Sequence, residues 1–72
     1  MNAITVRPYL RRDKRTLERL ALLDDRRVPA HPVILAEVGG RVVAALSERT
    51  GEAVADPFEP TAHLVEMLRL TP

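Results

Sequence analysis

Val33-Ile34-Leu35-Ala36-Glu37-Val38-Gly39-Gly40-Arg41-Val42-Val43-Ala44-Ala45-Leu46-Ser47 is the stretch that decides the fold. Two apolar runs flank a Gly-Gly pair. Two adjacent glycines between such runs fit a two-residue hairpin turn, which needs positive φ at both positions. Ile34, Ala36 and Val38 alternate with Val33, Leu35 and Glu37, and Arg41 opens the returning strand. Both sets are mostly apolar, so both faces of the hairpin call for cover. Either the chain's own helices or a partner must supply it.

Upstream, residues 3–7 read as a first strand, with Ile4 and Val6 facing one way and Thr5 and Arg7 the other. Pro8 is expected to end it, because proline cannot donate to a ladder. Asp13 is placed to cap the next helix. Leu17, Leu20 and Ala21 share one helical face with Leu23 beside them, while Arg15, Glu18, Arg19 and Leu22 lie opposite. The helix should end near Asp25. Pro29 and Pro32 then hold residues 26–32 extended.

Downstream, residues 48–51 read as a turn and residues 52–55 as a short strand. Asp56-Pro57-Phe58-Glu59 resembles a capping box, with Asp56 as N-cap and Pro57 at the first helical position. Pro60 interrupts it, so a separate turn is expected before the helix becomes regular. Leu64, Val65, Met67 and Leu68 form that helix's apolar face, with His63, Glu66 and Arg69 on the other. The resulting order is β-α-β-β-β-α. It predicts an α+β domain spanning residues 1–72, with a mainly antiparallel sheet of three or four strands and two helices.

Apolar residues make up 46% of the chain and charged residues 29%, a globular balance rather than a disordered one. Seventy-two residues bury only about 60% of their unfolded surface, so the core is marginal. With no cysteine, disulfides and thiolate metal sites are excluded, which leaves oligomerisation as the compensation. No apolar run is long enough for a membrane span or a signal peptide, so a cytoplasmic location is expected. Residues 1–32 carry eight basic and four acidic groups, and residues 33–72 carry three and six. A net +4 therefore faces a net −3, an asymmetry that steers association. Ten arginines to one lysine match the coding bias of a GC-rich bacterial genome.

Three stretches together resemble the N-terminal half of the Gcn5-related N-acetyltransferase superfamily. Ile4-Thr5-Val6-Arg7-Pro8 followed by Asp13 looks like its opening strand and first helix. Val33 through Ala44 looks like its second and third strands, and Glu52-Ala53-Val54-Ala55-Asp56-Pro57 like the end of its fourth. The likeness spans about half of that fold and implies a half-domain. In that superfamily a glycine-containing loop after the fourth strand holds the pyrophosphate of acetyl-coenzyme A at a helix start. This chain has no glycine after Gly51. Its matching junction carries two prolines, and Asp56 and Glu59 are expected to occupy the anion position from within. No position matches the family's cofactor or acid residues. Catalytic, cofactor and metal residues are therefore all expected to be none.

Individual polar residues fit structural roles. Glu52 lies where some family members place a general base, but it lacks an acid partner. His63 and Glu66 have the spacing of a solvated helix face. His31 has no ligand set around it, and Ser47, Thr50 and Thr61 lack a nucleophile context. Two aromatics, Tyr9 and Phe58, give no stacking platform, and a pI of about 8.4 is low for a nucleic-acid domain. The expectation is a non-catalytic domain acting through homodimerisation or docking on a protein partner. The alternative is a cut-down acyltransferase or acyl-coenzyme A binder whose site forms across a dimer, with Arg11, Arg12 and Arg15 holding phosphates.

Overall fold

A computed structural model describes residues 3–71. Strand β1 (Ile4–Pro8) leads through a 3-10 turn (Arg11–Asp13) into helix α1 (Lys14–Leu23). Strands β2 (Val33–Val38), β3 (Arg41–Ser47) and β4 (Ala53–Ala55) follow, and helix α2 (Ala62–Leu70) closes the order. All neighbouring strands are antiparallel, in the order β1-β2-β3-β4. The fold is therefore α+β, with a four-stranded antiparallel sheet and two helices. Gly39 and Gly40 both take positive φ at the hairpin turn, as the sequence predicts.

The two helices lie on opposite faces of the sheet. Leu17, Leu20 and Ala21 of α1 pack with Val33, Leu35, Val42, Ala45 and Val54. Leu68 of α2 packs with Ile34, Ala36, Ala44 and Leu46, and Val65 joins at the margin. The chain thus covers both apolar faces of its central hairpin itself, which answers the requirement that the sequence leaves open between helices and a partner. Met67 and Leu23 fall at the margins of their helices and stay exposed.

A bulge determines which side chains reach which layer. Ala36 faces Ala44 across the ladder, but Glu37 faces Val42, so Val43 is an extra residue in β3. The side-chain period is two, so this insertion reverses every position beyond it. Val42 enters the α1 core, while Arg41 turns to the α2 side and pairs with Glu59. Val43 lines the α2 side with Leu64.

The strand and helix ends differ from expectation in two places. β1 runs through Pro8 instead of stopping before it. Backbone bonds from Tyr9 N–H to the Val33 carbonyl and from Gly39 N–H to the Ala3 carbonyl show that odd residues of β1 bond to β2. The Pro8 nitrogen therefore faces the open edge, where no donor is needed. Helix α1 stops at Leu23, and Asp25 follows at φ 52°. Arg26 N–H donates to the Ala21 carbonyl and Asp25 N–H to the Leu22 carbonyl, the paired bonds of a left-handed helix stop. As expected, residues 56–59 form a separate turn, and α2 becomes regular only after Pro60.

Candidate functional site

The densest polar cluster joins Arg7, Asp13 and Glu37. Arg7 sits on β1 facing α1, the 3-10 turn brings Asp13 beneath it, and Glu37 shares the face of Leu35 two residues earlier on β2. Arg7 Nη1 and Nη2 donate to the two Asp13 carboxylate oxygens at 2.8 and 2.9 Å. Arg7 Nε donates to Glu37 Oε2 at 3.1 Å. Leu10 N–H adds a bond to Asp13 Oδ2 at 2.7 Å. The guanidinium beside it holds the Asp13 carboxyl at about 2, well below its ordinary value, and burial opposes that shift. Arg7 is pushed upward by the same pair. Asp13 does stand at the N-cap position of α1, but its carboxylate is spent on Arg7 and Leu10 rather than on the helix. Every group in the cluster is already partnered, so it clamps β1 to α1 and offers no free acid or base.

Among the openings along the sheet, two lie beside the features weighed below. One is a cleft of about 600 Å³ beside the outer edge of β4. Asp24, Arg26, Arg27, Glu52 and Arg69 line its rim, and Val65 lies within it. Bonds from Ser47 N–H to the Glu52 carbonyl and from Asp56 N–H to the Val43 carbonyl leave Ala53 and Ala55 facing outward. Asp24 Oδ2 accepts the outward N–H of Ala55 at 3.0 Å, so a carboxylate caps this edge.

The other opening is an apolar pocket of about 260 Å³ on the α2 side, walled by Ile4, Val38, Val43, Pro60 and Leu64. Glu59 and His63 stand at its rim. Phe58, in the adjoining turn, is 84% exposed. Phe58 N–H donates to Asp56 Oδ1 at 2.8 Å and Glu59 N–H to the Asp56 carbonyl at 3.2 Å. These bonds close the turn and hold the phenyl ring outward. Asp56 is thus a turn residue and not the α2 cap, and Glu59 is spent on Arg41.

The single residues weighed on sequence grounds stay apart. Glu52 is exposed, and its N–H donates to Thr50 Oγ1 at 3.1 Å. Ser47 Oγ is buried and accepts N–H bonds from Arg49 and Thr50, tying the turn after β3. His63 and Glu66 are both exposed on α2, and only His63 borders the pocket. His31 packs its ring against Tyr9 at 4.5 Å. Thr61 precedes α2 and makes no side-chain cap bond. Arg11, Arg12 and Arg15 are exposed and line neither opening.

Sequence reasoning missed the Asp24 cap and the Phe58 pocket, since both depend on which elements meet in space. The exposed ring did have a signal: a lone Phe between two prolines has no periodic apolar neighbour to pack with. Among the described residues no group of three or more His, Asp or Glu side chains could hold a metal ion. No described helix is long and apolar enough to cross a membrane. No protein-family model, curated protein or solved structure matches this chain.

Proposed function

We propose that this chain is a non-catalytic association domain with the topology of an acetyltransferase first half, and that it works by pairing with a second copy. The element order and the antiparallel strand order support the topology. Prolines and spent carboxylates at the β4-to-α2 junction support the absence of acetyl-coenzyme A binding. The observation that carries association is the α2 side of the molecule. There an exposed Phe58 directly precedes Glu59 and Pro60 of an apolar pocket whose wall includes Ile4, itself 43% exposed. Large apolar side chains grouped around a pocket are a mark of protein interfaces.

The sheet edges are poor candidates for that contact. Pro8 blunts β1 and Asp24 caps β4, both devices that resist strand addition. Pairing therefore uses the α2 side rather than the strands. Sedimentation equilibrium across a micromolar concentration range tests the reading. A monomer–dimer equilibrium is expected, and a chain that stays monomeric to millimolar concentration overturns it. Acetyl-coenzyme A should leave the melting temperature unchanged. A ligand at one hundred times its dissociation constant would add about 2.7 kcal/mol.

A further inference from the structure

We infer that the Phe58 ring of one copy seats in the pocket beside α2 of a second copy, and that the second copy returns the same contact. This rests on the association reading above and names its site. Three observations converge on it.

The first is size. An apolar cavity of about 150 Å³ accepts a benzene molecule, so an open pocket of about 260 Å³ accommodates a phenyl ring. Val43 and Leu64 supply its buried wall.

The second is position. Phe58 adjoins Glu59 and Pro60, which line the pocket, so knob and hole share one side of the molecule. A two-fold contact needs a surface complementary to itself, and a knob beside a hole meets that need.

The third is area. A phenylalanine buries roughly 150–250 Å², so two rings and the walls they cover hide roughly 600–1,000 Å². That lies below the size of stable specific interfaces, in the range of weak, transient contacts, so the dimer is a weak and reversible one.

Two substitutions test the inference by sedimentation equilibrium. Phe58→Ala removes the knob at an exposed position and leaves the fold intact. Ile4→Trp fills the mouth of the hole from an edge strand that tolerates an aromatic. Each variant alone should weaken self-association by roughly a hundredfold, because a buried aromatic anchor at an interface centre dominates affinity. Mixed together, they should form a heterodimer, since the knob of the Ile4→Trp copy still fits the hole of the Phe58→Ala copy. If Phe58→Ala associates as tightly as the parent chain, the ring exchange is wrong while the association reading stands. If the mixture pairs no better than either variant alone, the exchange is also wrong. A parent chain that is monomeric throughout removes both.

Discussion

Asp25 shows what one residue can hold in place. Its φ of 52° lies in the left-handed region that glycine enters freely and other residues enter at about 1–2 kcal/mol. The helix-stop bonds around it keep it there. Asp25→Gly should therefore raise stability by about 0.5–1 kcal/mol in urea denaturation. Asp13 makes the opposite case. Its folded pKa is about 2, against an ordinary 3.8. A depressed carboxyl contributes stability that is fully present above the unfolded pKa, and that contribution is lost as pH falls through the folded one. The stability curve should accordingly decline between about pH 4 and pH 2. Asp13→Asn should flatten that decline and cost about 2 kcal/mol at neutral pH, because Arg7 then keeps only Glu37. Asp13 was legible as a residue at a helix start. Its true partner was not, because nothing in local spacing announces an arginine on the preceding strand that points at the same spot.

At the level of elements, most of the chain was readable and the bulge was not. The hairpin, both helical stripes and the turn before α2 follow from period, glycine and proline. Val42-Val43-Ala44-Ala45 hides its irregularity because every residue in it is apolar. An inserted position among four interchangeable hydrophobes leaves the alternation looking unbroken. Arg41 was the available clue, a polar residue that reaches Glu59 only because the strand slips by one. Deleting Val43 would remove the bulge and leave Val42 opposite Glu37 and Arg41 opposite Val38, each on its present face. We expect a loss of about 2 kcal/mol or more from the vacated Val43 site, with the Arg41 pairing to Glu59 kept. Chemical-shift mapping of the hairpin would show the same cross-strand pairs on both sides of the deletion. The β1 boundary was misread for a related reason. Whether a proline ends a strand depends on which way its nitrogen faces, and that is a property of the neighbouring ladder.

For the whole molecule, a radius of gyration of 10.7 Å is close to about 11 Å for a closed unit of this length. One thin sheet supports two separate cores, and Leu35 is fully buried at the heart of the α1 layer. A chain of 72 residues has a total stability of roughly 4–11 kcal/mol. Leu35→Ala should remove about 2–5 kcal/mol of that. A large unfolded population at room temperature, seen as lost near-native dispersion in proton spectra, is the expected outcome. The sequence could say that both faces of the hairpin needed cover. It could not say that the helices would land on opposite sides, since the turn between strand and helix is set by contacts far along the chain.

The blunted rims of the sheet carry one last implication, for behaviour at high concentration. A proline nitrogen seals one margin and a carboxylate occupies the other, so neither offers a clean template on which further copies could stack. Crowding such a protein should leave a clear solution, where an unguarded ribbon of the same greasiness would thread into fibrils.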